Sequence, residues 1–231
     1  MSERLEALGF KRHVIKGGRE VFQPCDAVAN LHRYYMSRMP QFRFRTIEEC
    51  VRHHVKNRFF YKLDISNAYG CVTGEMAHIL PIDFGNYSPF FFHKDGGLIQ
   101  GAPASPYIFE LYCQETIDRH IGTYCRTHLL FWSRYMDDIL ISHPNHRIVQ
   151  KHKRPLRRIL ERAGFVVNTD KTQSYDGKLQ PFNFIGVKFH NWEVTITDEA
   201  RKKLRESEPG SYVRLGCQEW LRYVVAMNHW P

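Results

Sequence analysis

The sequence predicts an α+β fold, with helices laid on one side of a mainly antiparallel sheet. Three observations lead there. Stretches with apolar residues at helical spacing alternate with short aromatic and β-branched runs. Gly17-Gly18 joins two extended runs in "HVIKGGREVFQP", where turn glycines supply the positive φ of a hairpin. No GxGxxG or GxxxxGKS/T pattern follows any strand, which argues against a dinucleotide or P-loop site.

The elements follow in order. After the hairpin, "TIEECVRHHVKNRFF" opens on a capping box, Thr46 with Glu49, and carries Ile47, Val51, His54 and Val55 on one helical face. A helix over about 46–57 therefore leads into the strand "FFYKLDI". "SPYIFELYCQETIDRHIG" starts with Ser105 as N-cap and Pro106 at the first helical position. Its stripe of Phe109, Tyr112, Cys113, Thr116, Ile117 and Ile121 should face a sheet. "RPLRRILERAG" reads as a helix opened by Pro155 and closed by Gly164 at its C-terminal cap. "FVVNT", "FNFIGVKFH" and "WEVTIT" are strand-like, and "DEARKKLRESE" is a charged helix.

Composition narrows the class of protein. At 231 residues and 43% hydrophobic content the chain can build a sizeable core, so disorder is not expected. Thirty-three basic against 24 acidic residues leave +9, with 13 histidines in reserve, a balance suited to a phosphate-bearing partner. The six cysteines form no CxxC pair and no zinc spacing, and read as reduced thiols. The N-terminus lacks the apolar core of a signal peptide, and no apolar run approaches the roughly 20 residues of a membrane span. A cytoplasmic protein without membrane contact is the expectation.

The run "FWSRYMDDILISHP" sets Asp137 and Asp138 among aromatic and aliphatic residues. A buried, unpaired carboxylate costs several kcal/mol or takes up a proton, so a cation is implied. Adjacent strand residues point to opposite faces, hence the two aspartates can share a site only where a hairpin turns. A third carboxylate, Asp64, ends the apolar strand "FFYKLDIS". Three such groups could hold hard divalent cations, Mg²⁺ above all, which prefers carboxylate and phosphate oxygens. In "GGLIQGAPASPYIFE", Gly101, Pro103 and Pro106 shape an irregular backbone and Gln100 offers an amide just before a helix.

Taken in order, these residues resemble the reverse transcriptases. "YKLDISNAY" looks like the motif with the first catalytic aspartate, "LIQGAPASP" like the QGxxxSP motif, and "YMDD" like the catalytic turn. "GFVVNTDKT" is similar to the lysine motif that follows, "FNFIGVKF" to the primer-grip hairpin, and "IKGGREVFQP" to the fingers hairpin of bacterial retron and group II intron enzymes. The resemblance covers roughly residues 12–200 and implies a right-hand polymerase. Fingers would span 1–60 and 85–105, palm 61–84 and 106–192, and a minimal thumb 193–231.

It also implies roles. Asp64, Asp137 and Asp138, with the main-chain carbonyl of Ile65, would hold two Mg²⁺ ions, Mn²⁺ being the alternative. Lys16 and Arg19 would reach the triphosphate, Tyr69 would be the aromatic gate that excludes a ribose 2′-hydroxyl, and Gln100 would touch the incoming nucleotide. Lys171 would be general acid toward pyrophosphate, and Phe184, Ile185 and Gly186 would grip the primer. Phe42, Phe44, Phe91 and Phe92 are divided between stacking on template bases and filling the core. The helices "HKRPLRRILER" and "ARKKLRE" would add charge against the template-primer. Asn67 stands where some viral members are acidic, which distances the chain from retroviral enzymes.

The implied activity is RNA-directed DNA polymerisation: dNTPs are added to a DNA or RNA primer on an RNA template, without an RNase H domain. A structured noncoding RNA or an accessory protein would be a further partner, in a bacterial system of retron or defence type. The alternatives are a defence relative that makes DNA without a template and a non-catalytic RNA-binding protein of the same fold.

Overall fold

The computed structural model describes residues 2–15, 17–94, 96–148 and 150–229. The first half contains α1 (Ser2–Ala7), β1 (Phe10–Val14), β2 (Glu20–Pro24), α2 (Asp26–Arg38), α3 (Ile47–Arg52), β3 (Phe59–Ser66), α4 (Ala68–Cys71) and α5 (Ser105–Cys113). It continues through α6 (Arg119–Thr127), β4 (Phe131–Tyr135), β5 (Asp138–His143), α7 (Gln150–Arg162), β6 (Val166–Val167) and β7 (Gln173–Asp176). The chain closes with β8 (Phe182–Phe184), β9 (Val187–His190), β10 (Glu193–Ile196), α8 (Asp198–Glu206) and α9 (Tyr212–Ala226). Among the described residues every strand pair is antiparallel. The α+β expectation therefore holds. Two compact units divide the chain: unit one is Met1–Phe44, Ile65–His120 and Arg158–Val167, and unit two is Arg45–Asp64, Ile121–Arg157 and Asn168–Pro231.

In unit one, β1 and β2 form the expected hairpin, with Gly17 and Gly18 at φ +89° and +77°. Arg12 and Glu20 pair across it. Its inner face, Phe10 and Phe22, packs with Leu5, Val28, Ile99 and Ala102. A second cluster gathers Tyr35, Phe84, Phe91 and Phe92, with Tyr35 and Phe84 stacked at 5.6 Å. Phe91 and Phe92 are buried there, so neither is free to stack on a template base. Phe42 and Phe44 lie against each other and against Tyr107.

The long helix departs from expectation at both ends. Ser105 does not cap it: Ala104 holds that position, and the Ser105 hydroxyl donates to the Ile99 carbonyl at 2.6 Å, tying the helix to the preceding loop. After α5 the backbone makes a π turn over Gln114–Asp118 and continues as α6 to Thr127. The extra residue in that turn rotates the apolar face, yet Phe109, Tyr112, Cys113, Ile117 and Ile121 are all buried.

In unit two, the β3 residues Phe59–Asp64 pair with β5 on one side, and Phe59–Lys62 pair with β7 on the other. Phe60 and Leu140 join Phe182, Phe184, Val187, Phe189, Val194 and Ile196 of the β8–β9–β10 sheet in one core, closed by Val224 and Met227. The capping box on Thr46 and Glu49 forms as expected. The helix it starts ends at Arg52 rather than near residue 57, because the next turn folds His54 inward between the hydroxyls of Ser133 and Ser142. Pro155 lies inside α7 rather than opening it. A proline there leaves the carbonyl four residues earlier without its helical donor; that carbonyl, Lys151 O, instead accepts from the Tyr124 hydroxyl at 3.3 Å. Among the described residues no cysteine is joined in a disulfide. Among the described residues no helix is long and apolar enough to cross a membrane.

Candidate active site

The carboxylates of unit two are brought together by strand register. Asp64 sits directly opposite Asp138 in the β3–β5 ladder, which sets their Cα atoms about 4.5–5.5 Å apart. Tyr135 pairs with Asp138 to close a two-residue turn, Met136-Asp137, so Asp137 projects from the hairpin tip beside that pair. Met136 adopts φ +54°, a left-handed conformation that costs a non-glycine residue energy and persists only where its surroundings enforce it. Arg134 supplies part of that enforcement: nearly fully buried, it donates from Nη1 to the Met136 carbonyl at 3.0 Å.

Asp137 keeps exposed surface, but the protein crowding its carboxyl pushes its pKa above the usual range, and Asp138 and Asp64 push it further; its own backbone N–H and the charge of Lys171 pull the other way. The three acids thus repel one another. Lys62 moderates this, its Nζ standing 3.1 Å from Asp138 Oδ1. Residues 62 and 64 are two apart on one strand and so share a face. The segment carrying Lys171 is tied to the same place: the Asp64 N–H donates to Thr172 Oγ1 at 3.2 Å, and the Asn168 N–H to the Asp64 carbonyl at 2.9 Å.

With Asp138 turned to Lys62, no group of three acidic, histidine or cysteine side chains among the described residues is drawn tightly enough to hold a metal unaided. The donor set still fits a hard divalent ion. Such ions are held by one or two carboxylates completed by water and substrate phosphate, not by a closed protein cage.

Unit one carries a separate cavity of about 360 Å³ lined by Arg19, Val21, Tyr69, Gln100 and the Gly101–Pro106 turn. Three residues singled out in the sequence for nucleotide contact, Arg19, Tyr69 and Gln100, therefore share one hollow. Lys16 lies outside the described residues. The Tyr69 ring rests 5.3 Å from that of Phe109, and its carbonyl accepts from the Leu98 N–H at 2.9 Å. Gly97 makes that approach possible, since a Cβ there would fall 2.1 Å from the Tyr69 oxygen. Gln100 O accepts from the Phe22 N–H at 2.7 Å. Gly101 has φ +95° and room for no Cβ, 2.9 Å from the Phe22 oxygen. Gly101→Ala is expected to cost about 1–3 kcal/mol, measured as a lower midpoint in urea; an unchanged midpoint would contradict this close approach.

Of the residues expected to grip the primer, Phe184 is wholly buried in the unit-two core. Ile185 and Gly186 form the turn between β8 and β9, both at positive φ. Ile65 follows Asp64 in β3, buried and paired with Val167. Two residues of the site, Lys62 and Arg134, carried no expectation from sequence. Their signal was present: each is a cation at a strand position two residues from a turn or site carboxylate, in a run otherwise apolar or aromatic.

The sequence model described as "Reverse transcriptase (RNA-dependent DNA polymerase)" matches residues 26–189, well over half of the chain. Retron Ec86 reverse transcriptase of Escherichia coli is 32% identical over 108 residues, 47% of this chain and 33% of that protein. The Gag-Pro-Pol polyprotein of mouse mammary tumor virus (strain BR6) is 36% identical over 83 residues, 34% of this chain and 4% of the polyprotein. The chain thus spans about a third or less of the length of these curated relatives. Among solved structures, a foamy viral protease-reverse transcriptase in complex with dsDNA aligns with TM-score 0.57 at 18% identity, covering 92% of this chain and 42% of that one. Apo telomerase from Candida tropicalis, truncated from its C-terminal domain, aligns with TM-score 0.53 at 12% identity, covering 82% and 54%. At those identities the likeness shows the fold, that of the polymerases, while the family match reaches across the hairpin with Asp137 and Asp138, the strand with Asp64 and the Gln100 turn. The chain belongs to the reverse transcriptase (RNA-dependent DNA polymerase) family.

Proposed function

We propose that this chain carries RNA-directed DNA polymerisation, adding dNTPs to a primer 3′ end on an RNA template. The observation that carries the proposal is the register that opposes Asp64 to Asp138 and sets Asp137 in the turn between β4 and β5. Asp64, Asp137, Asp138 and the main-chain carbonyl of the next residue, Ile65, are the ligands proposed for two Mg²⁺ ions, with Mn²⁺ as the alternative. Divalent ions held this way lower the pKa of a primer hydroxyl and neutralise charge on the triphosphate. Lys171, whose charge acts on Asp137, would give a proton to departing pyrophosphate.

In the unit-one cavity, Arg19 would meet phosphate oxygens with charge-assisted hydrogen bonds. The Tyr69 ring would fill the space a 2′-hydroxyl needs, and Gln100 would orient the nucleotide. Fingers, palm and thumb would follow the boundaries expected from sequence. The test is primer extension on RNA, on DNA and without template, with dNTPs or rNTPs. RNA-dependent dNTP incorporation is the expected result, and equal incorporation without template would reject RNA direction.

Two variants probe the parts separately. Tyr69→Ala is expected to lower the preference for dNTP over rNTP, measured as a ratio of kcat/KM, by about 10–100-fold; an unchanged ratio would remove Tyr69 as the gate. Lys62→Met should free Asp138 for a metal ion. In the absence of nucleotide, Mn²⁺ should then raise the melting temperature at concentrations about 3–5-fold lower than in the parent. A higher requirement for Mn²⁺ would show instead that Lys62 helps to build the site.

A further inference from the structure

At the end of β5 remote from its aspartate, five residues beyond Asp138 and so about 17 Å along the strand, unit two holds a second cluster of chemical groups. A cavity of about 470 Å³ is lined there by His128, Leu130, His143, His146, Arg147, Lys151 and His152. Apart from Leu130, every lining side chain is a cation or an imidazole, and none is a carboxylate. The rings are close: His128 and His152 have centroids 5.2 Å apart, and His143 and His146 4.9 Å. Tyr124 joins them, its ring 4.3 Å from His128 and its hydroxyl 3.1 Å from His152 Nδ1.

His143 Nδ1 accepts from the backbone N–H groups of Asn145 and His146 at 3.0 and 2.8 Å. The neutral ring therefore carries its proton on Nε2 and remains a donor. Imidazoles in such number could suggest a transition-metal site. Among the described residues, however, no three histidines are gathered closely enough for one ion. What the hollow offers is a set of spaced donors around a space larger than an ion, a shape that suits a phosphate group.

We propose that this hollow is a phosphate site, entered by phosphate groups of a nucleic-acid strand or of free pyrophosphate and strengthened as its imidazoles take up protons. The groups facing it are Tyr124 from α6, His128 from the turn just after it, His143 from β5, His146 and Arg147 from the following loop, and Lys151 and His152 from α7. Burial holds His152 below its ordinary pKa, and His128, Lys151 and His143 hold it lower still; burial and then His146 do the same to His143. An anion among them supplies the missing opposite charge and raises these values. By linkage, its affinity rises as pH falls through the ordinary histidine range near about 6.5. The proposal stands on this cluster alone and does not depend on polymerase activity.

The test uses the whole chain without divalent ions, with sodium pyrophosphate followed by calorimetry and a short labelled single-stranded RNA followed by anisotropy, at pH about 8 and about 6. A phosphodiester keeps its charge across that range, so the RNA arm reports the protein's protons. At least one probe should bind about tenfold more tightly at the lower pH. The double variant His128→Gln with His146→Gln, at two exposed positions, should reduce that gain while its melting temperature stays close to the parent's. Arg147→Gln with Lys151→Gln should weaken binding at both pH values and keep the gain. A response to RNA alone makes the ligand a polynucleotide, and a response to pyrophosphate alone makes it the free anion. No gain with either probe, or a gain undiminished in the histidine variant, overturns the site.

Discussion

Asp137→Asn is expected to lower RNA-templated dNTP incorporation by at least about 10³-fold, roughly 4 kcal/mol of transition-state stabilisation. Asn keeps the shape of the side chain and removes the charge on which the proposed metal binding would rest. The same substitution should leave the metal-free protein as stable as the parent or more so. Three acids sit at one end of β3 and β5, and burial together with Asp138 and Asp64 already disfavours the charge on Asp137. A residue that burdens the empty fold yet is indispensable to turnover is the expected signature of a functional carboxylate. Asp64→Asn should behave alike. Asp170→Asn, an exposed carboxylate on the neighbouring loop, serves as control and should change neither quantity appreciably. Incorporation by Asp137→Asn within tenfold of the parent would refute the metal assignment, whatever the stability showed.

The features legible in the sequence were those whose cause is local. Gly17-Gly18 and the Thr46–Glu49 box specify their turn and cap within a few residues, and both form as expected. The Asp-Asp pair in an apolar run announced a hairpin because strand periodicity leaves no other way to bring the two side chains together. Features set by tertiary partners were not legible. Pro155 marks a helix start by propensity, but the helix begins earlier because Tyr124, far off in sequence, supplies the donor for Lys151 O. The helix from Thr46 shortens because His54 finds two serine hydroxyls in β4 and β5. The π turn at Gln114–Asp118 and helix α9 had no local signal strong enough to read. Lys62 and Arg134 fall between these cases. Strand period placed each on the face of the carboxylates or the turn, but only the register shows that Lys62 meets Asp138 and Arg134 the Met136 carbonyl.

Acidification is expected to destabilise the fold well before its carboxylates titrate, through two buried histidines. His54 is fully buried, with Nδ1 2.6 Å from Ser142 Oγ and Nε2 2.9 Å from Ser133 Oγ, and burial lowers its pKa from 6.5 to about 3. His32, also buried, sits near about 4: burial lowers it, while its contact to the Phe90 carbonyl raises it in part. The Ala104 N–H donates to His32 Nδ1 at 3.3 Å, so the neutral ring carries its proton on Nε2 and gives it to Phe90 O. Protonating Nδ1 would break the contact from Ala104 and bury a charge. For both residues the folded pKa lies below the unfolded one. The unfolded chain therefore binds more protons between pH about 6.5 and the folded values, and stability falls as pH falls across that window. Each histidine contributes a slope approaching about 1.4 kcal/mol per pH unit. Against a typical total stability of about 5–15 kcal/mol, two such slopes remove up to roughly 4 kcal/mol by pH about 5, a large share of the total, above the range where most carboxylates protonate. Urea unfolding at steps from neutral pH down to about 5 measures this. His54→Gln should be less stable than the parent at neutral pH by about 1–3 kcal/mol, since the amide replaces the serine contacts imperfectly. Its stability should nonetheless fall more gently on acidification, so that the two proteins converge. Parallel curves over that range would mean that His54 does not carry the acid response and that its protonation is accommodated within the folded state.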